Sequence, residues 1–172
     1  MEAEEFVLRD SSGKVRARLS MAAAGPALVM YDARETARIV IGVSDAAPRI
    51  VVTDPNGKAA LIVGHIPENG PFVSLTGSDG KKTEMQTSSI QWMDSSEKVR
   101  MALELLPKGP ALRLFDTNER PQAALAMLGA DPIFGLYGPN GKPQVLLGNN
   151  VAAGPAFLMY DSQGRTIVSL PK

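Results

Sequence analysis

The stretch Phe6-Val7-Leu8-Arg9-Asp10-Ser11-Ser12-Gly13-Lys14-Val15-Arg16-Ala17-Arg18-Leu19 decides the fold. Apolar residues alternate with other residues on both sides of Asp-Ser-Ser-Gly, the pattern of two short strands joined by a tight turn. Asp at the first position of a type I turn accepts backbone hydrogen bonds, and Gly at the fourth takes the left-handed conformation that returns the chain. The unit recurs through Leu28-Val29-Met30-Tyr31-Asp32 and Ile50-Val51-Val52-Thr53-Asp54-Pro55-Asn56-Gly57-Lys58 to the end of the chain. Its turns open at Asp10, Asp32, Asp54, Gly77, Asp94, Asp116, Gly138 and Asp161, at steps of 22, 22, 23, 17, 22, 22 and 23. Pro26, Pro48, Pro71, Pro110, Pro132 and Pro155 keep the same register. Two markers in one register establish an internal repeat, and repeats of this length mean stacked supersecondary units.

Gly fills the fourth turn position in five units, at Gly13, Gly57, Gly80, Gly141 and Gly164, whereas Glu35, Glu97 and Glu119 fill it in the other three. Those three turns are expected to be strained or differently shaped. A basic residue follows in seven of the eight units (Lys14, Lys58, Lys81, Lys98, Arg120, Lys142 and Arg165), read here as a solvated shoulder that discourages edge pairing.

Period-two alternation places Phe6/Leu8, Leu28/Met30, Ile50/Val52, Val73/Leu75, Ile90/Trp92, Leu112/Leu114, Phe134/Leu136 and Phe157/Met159 on one face. The return arms add residues such as Leu19, Ile41, Val63, Leu103, Leu125, Leu147 and Leu170 to it. The fold class is therefore all-β: about eight tandem hairpins of roughly 22 residues, read as a single domain over 1–172. An apolar sheet face must be covered, since each Leu or Ile is worth roughly 1.5–3 kcal/mol when buried. The other face is mixed, with Val29, Tyr31, Val51, Leu146 and Tyr160 among Arg9, Arg16, Arg18, Arg38 and Arg100. Partial burial of both faces points to closely apposed copies, most simply a homotrimeric prism or spiral.

The 172 residues suffice for a packed domain, and 18 basic against 18 acidic side chains leave a formal charge of zero. That balance supplies no basic footprint for nucleic acid or an anionic membrane. With no cysteine there is neither disulfide nor thiol chemistry, and no run of 18 apolar residues is present to insert in a membrane as a helix. The acidic start, Met1-Glu2-Ala3-Glu4-Glu5, is not a signal peptide and implies an upstream segment outside this chain.

The unit apolar-x-apolar-x-Asp-x-x-Gly-Lys-x-Arg-Ala-x-Leu of Phe6 to Leu19 resembles hairpin repeats of uncharacterised bacterial envelope-type proteins that often follow a coiled coil. It is similar in style to the triple β-spiral and β-prism shafts of viral fibres, in which Gly/Pro turns and alternating apolar residues pack three chains together. Tyr31-Asp32 and Tyr160-Asp161-Ser162-Gln163-Gly164-Arg165 also look like the tyrosine-aspartate repeats of bacterial toxin shells, which have far more strands. The fibre resemblance implies a self-associating shaft in an extracellular or cell-envelope setting; a cytoplasmic one stays open.

The repeat breaks at about 77–94. The step of 17 between Gly77 and Asp94 implies loss of about one linker, and the return arm from Lys82 to Ser88 is almost wholly polar. Such an irregular unit marks a drifted repeat, a kink between two halves or a ligand site. Just beyond, Asp94-Ser95-Ser96-Glu97 before Val99, Leu103 and Leu106 fits a capped helix, while the repeat register makes 97–106 a strand, the reading kept here.

His65 and Asn149 fall on the apolar face where other units carry Met21, Val43, Leu105 and Met127. Polar groups there need partners, and copies meeting about an axis would bring them together in a register-setting contact. Tyr31, Phe115, Tyr137 and Tyr160 precede turns, where aromatics either pack across strands or stack sugars. There is no nucleophile–base pair and no phosphate-cradling glycine loop. No catalytic residue, metal ligand or cofactor is assigned. The sequence thus predicts a non-catalytic structural or adhesive shaft whose partner is itself. The alternative is a module binding a glycan or a surface protein through the middle unit or the aromatic row.

Overall fold

The computed structural model describes residues 4–44, 47–150 and 154–171. The first three residues of the acidic start lie outside them. Sixteen antiparallel strands follow one another in chain order, the arrangement of eight tandem hairpins. They group into two compact units, Met1–Thr87 and Ser88–Lys172.

The first unit contains β1 (Glu5–Arg9), β2 (Val15–Ala22), β3 (Gly25–Tyr31), β4 (Ala37–Ser44), β5 (Ala47–Thr53), β6 (Ala59–Ile66), β7 (Gly70–Thr76) and β8 (Lys82–Gln86). The second contains β9 (Ser89–Met93), β10 (Val99–Leu106), β11 (Gly109–Phe115), β12 (Pro121–Leu128), β13 (Asp131–Tyr137), β14 (Pro143–Asn150), β15 (Gly154–Tyr160) and β16 (Thr166–Leu170). Residues 99–106 are thus a strand, as the repeat register requires and against the local helix signal.

Each Asp-type turn is closed from both sides. The Gly13 N–H donates to the Asp10 carbonyl at 2.9 Å, and the Asp10 N–H donates to the Lys14 carbonyl at 3.0 Å. The strand register slips by one residue beside the turn, between Leu8 and Arg9 and at the matching place in later hairpins. This is a type I turn followed by a left-handed residue in a bulge. The turns without glycine keep the same shape: Glu35, Glu97 and Glu119 have φ of 60°, 59° and 60°, beside 82° at Gly13. Of the two expectations, strain is met and a different geometry is not.

Between hairpins the chain turns back just as sharply. Ala22 pairs with Gly25 and Leu106 with Gly109, leaving two residues to make each bend. The marker prolines are the second residues of β3, β5, β7, β11, β13 and β15. Pro26 faces Met21 on one side, whereas pairing with β4 begins only at Ala27, so its missing N–H breaks no rung there.

The irregular step has a simple cause. β8 and β9 have five residues each, where β2 has eight and β3 seven, and that shortfall turns 22 into 17. The bend itself is retained at Thr87-Ser88; what has gone is the far end of one strand and the Gly-Pro start of the next. The division between the compact units falls in this bend.

Candidate functional site: a charge-free apolar face

Cross-strand pairing fixes which side chains share a face. In the first unit one row runs Phe6, Leu19, Leu28, Ile41, Ile50, Val63, Val73, Met85, each paired with the next in the neighbouring strand. In the second it runs Ile90, Leu103, Leu112, Leu125, Phe134, Leu147, Phe157, Leu170. Flanking rows on the same face hold Met30, Ile39, Val52 and Leu61, or Met101, Leu114, Ala123 and Leu136. Among the described residues paired on this face there is no Asp, Glu, Lys or Arg. A wetted sheet face carries charged residues; one without any has the composition of a buried surface.

It is nevertheless open in the single chain. Met21 is 72% exposed, Leu105 66%, Leu125 55% and Ile41 41%. The best-buried residues lie on the other face: Ala102 at 0%, Ala111 at 5% and Ser74 at 4%. There long polar side chains lie over small ones. Arg113 stands opposite Ala102, donates from Nε to Glu104 at 2.7 Å and stacks on Phe115 at 5.2 Å.

Across β2–β6 the apolar face carries a trough of about 600 Å³. Leu19, Leu28, Ile41, Ile50 and Val63 line it, with Pro26 and Pro48 at one end. His65 lies in that lining, exposed, in β6 opposite Pro71. Asn149 takes the matching place in β14 opposite Pro155, also exposed. The two residues therefore sit at equivalent positions of different units.

Tyr31, Phe115, Tyr137 and Tyr160 are half-buried at the turn ends of β3, β11, β13 and β15. The Tyr137 ring lies against Gly135, where a Cβ would meet its hydroxyl at 2.9 Å. Phe72 does the same for Gly64 across the strand pair, at 3.1 Å. Both rings cover backbone that a glycine leaves bare. Phe115 is engaged by Arg113 as described.

The sequence reading missed an arginine staple. The Asp10 carboxylate accepts from the Ser12 and Lys14 N–H groups at 2.9 and 3.1 Å, and from Arg16 Nε at 2.7 Å. Arg16 Nη1 then donates to the carbonyl of Asp32, the opening residue of the next turn. Asp32–Arg38 reaches the Asp54 carbonyl in the same way, and Asp94–Arg100 reaches that of Asp116. The signal was legible: Asp and Arg six residues apart, three times, the first two pairs 22 residues apart and the third three repeats further on. Two of the basic shoulder residues also reach forward, Lys14 Nζ to the Ala33 carbonyl at 3.4 Å and Arg120 Nη1 to that of Pro139 at 2.9 Å.

These contacts hold the turn carboxylates below the usual range. For Asp10 the Ser12 hydroxyl contributes most, and for Asp94 the Arg100 guanidinium. For Asp32, Asp54, Asp116 and Asp161 it is a backbone N–H, from Thr36, Lys58, Arg120 and Arg165. Among the described residues, no group of three or more His, Asp or Glu is placed to hold a metal ion. No helix is long and apolar enough to cross a membrane, which says nothing of strands.

No family model matches the chain, and no curated protein does. Among solved structures, the crystal structure of a mutant of S. aureus TarM in complex with Fondaparinux, alpha-GlcNAc-glycerol and UDP is similar at 12% identity and a TM-score of 0.27. The match covers 76% of this chain and 21% of that one, so the chain spans about a fifth of that protein's length. Likeness at that level carries no argument here.

Proposed function

We propose that this chain is a non-catalytic structural protein that works by association with its own copies, as a shaft-like element. The observation that carries this reading is the charge-free apolar face that each of the two units leaves open. Exposed apolar surface of that extent marks an interaction site. A second copy is the simplest partner, because an interface with itself asks no other molecule to supply a matching apolar surface. Three copies about an axis, in an extracellular or envelope fibre, is the form of assembly that the repeat pattern favours.

Sedimentation equilibrium across a hundredfold dilution tests the reading: a stable oligomer is expected. A monomer at every concentration overturns it. The alternative, a glycan platform on the aromatic row, is weakened by the engagement of Tyr137 with Gly135 and of Phe115 with Arg113. It requires glycan binding that is lost on Tyr137→Ala with Tyr160→Ala.

A further inference from the structure

Each unit opens and closes on a strand of five residues, β1 and β8 in the first and β9 and β16 in the second, with six strands of seven or eight between them. The turn openers of the first unit recur in the second at a shift of 84 residues: Asp10 and Asp94, Asp32 and Asp116, Asp54 and Gly138, Gly77 and Asp161. The second unit is thus built to the plan of the first. Within the chain, the closing strand of one unit leads to the opening strand of the next through Thr87 and Ser88 alone. The other two strands of this kind, β1 and β16, are each paired on one side only among the described residues, β1 with β2 and β16 with β15.

A strand paired on one side turns a row of N–H and C=O groups outward, and proteins usually blunt such an edge with proline or charged side chains. These two edges are not blunted in that way. β16, Thr166-Ile167-Val168-Ser169-Leu170, holds neither a charge nor a proline. β1 has its charges only at its two ends, where Arg18 donates to Glu5 at 3.1 Å and Arg9 donates to the Gly13 carbonyl at 2.8 Å. Between them Phe6-Val7-Leu8 is an unbroken apolar run. On the mixed face Val29, Val40, Val51 and Ile62 have a strand on either side and are half-buried; Val7 in β1 is exposed, and so is Ile167 in β16.

Resting on the self-association proposed above, we infer that copies join edge to edge: β16 of one copy pairs with β1 of a second. The pairing is antiparallel, the form that every described strand pair takes. The faces set its register, since a slip of one residue turns the apolar side chains of a strand to the wrong side. Val168 and Leu170 share the apolar face with Met159 and Phe157, and Phe6 and Leu8 share it with Leu19 and Ala17. Only one register sets both apolar residues of one strand opposite both of the other: Leu170 against Phe6 and Val168 against Leu8, with Ser169 against Val7. The row that ends at Leu170 then continues at Phe6 of the next copy. A second copy is the occupant because its β1 matches β16 in length and in apolar pattern, and because every copy carries both edges. The contact is heterologous, so it repeats from copy to copy, as a ring where the rotation closes and as a filament where it does not. It uses the sheet edges and leaves the apolar face free for contacts of its own.

The chain has no cysteine, so introduced thiols report on this contact alone. The test uses the full-length chain carrying Val7→Cys with Ser169→Cys, positions that face one another across copies in this register. Oxidation is expected to give a ladder of disulfide-linked copies, or a closed covalent ring, on a non-reducing gel. Val7→Cys alone and Ser169→Cys alone are expected to stay unlinked, and an equimolar mixture of the two to link in pairs. Opposed residues of an antiparallel pair alternate between close and wide spacing, so Leu8→Cys with Val168→Cys, one position along, serves if the first pair is too wide to bridge. Circular dichroism checks that each variant folds, and sedimentation of the parent chain separates the two readings. A parent that associates while neither folded pair links its copies overturns this inference and leaves the reading it rests on. A disulfide closed within one chain, or single variants that link to themselves as fully as the double, also overturns it. A monomeric parent overturns both.

Discussion

At the residue scale, the turns make the sharpest demands. Glu35, Glu97 and Glu119 hold a left-handed backbone that costs an L side chain roughly 1 kcal/mol more than glycine. Glu35→Gly is therefore expected to stabilise the fold by about 0.5–1 kcal/mol, read as an increased denaturant midpoint at unchanged slope. The turn aspartates set the response to acid. Their carboxyls titrate lower when folded than unfolded, so the stability they contribute is complete above the ordinary carboxylate range. It is lost as pH falls through their lowered values. Unfolding midpoints measured from pH 6 to pH 2 are expected to hold steady and then drop below about pH 4. Asp54→Asn is expected to reduce the acid-sensitive part of that drop. The Asp-x-x-Gly turns were plain in the sequence because their chemistry is local. That Glu can replace Gly without altering the turn was not, because the flanking ladder, which imposes the geometry, is not local.

At the element scale, two kinds of bend alternate, and in the second kind Gly25 and Gly109 are closely packed while Gly70, Gly129 and Gly154 have open space. Gly109 has φ of 136°, and a Cβ there would meet the Met127 carbonyl oxygen at 2.7 Å. Since neither the backbone angle nor a carbonyl can give way cheaply, Gly109→Ala is expected to cost more than about 2 kcal/mol in chemical denaturation. Gly13→Ala meets no neighbour within 4 Å and should cost only the backbone term. The arginine staple belongs to this scale as well. Arg38 is half-buried, binds Asp32 in its own hairpin and the Asp54 carbonyl in the next. Arg38→Met keeps much of the stem and loses those bonds, with an expected loss of about 1–2 kcal/mol. Hairpin count, strand positions and the side chains sharing each face were all readable from period and spacing. The staple is not legible from alternation, which places Arg16, Arg38 and Arg100 on a mixed face without showing that each reaches the carbonyl of the next turn.

At the scale of the whole molecule, the sequence located the break in the repeat but misjudged what it removes. Shortened strands at β8 and β9, rather than a missing bend, accompany the division into two compact units. Alternation found the apolar face; it could not reveal that the opposite face would hold the best-buried residues, where Arg113 stands opposite Ala102 and Glu104 opposite Ala111. Nor do the equivalent positions of His65 and Asn149 in separate units follow from composition; they follow from repeat register. If association covers the apolar face, the oligomer should bind little of an environment-sensitive hydrophobic dye. A folded Ile41→Lys variant, dissociated by the charge placed on that face, should bind much more, and equal dye fluorescence would contradict a shared apolar contact.

The staples also have a direction. Arg16 holds the aspartate of its own turn and grips the turn that comes after it, and Arg38 does the same one repeat further on. A growing chain would therefore leave its newest arginine half-engaged until the following hairpin is made, and then lock it. Each of the three stapled hairpins is completed by its successor, so for them the order of synthesis is also the order of closing.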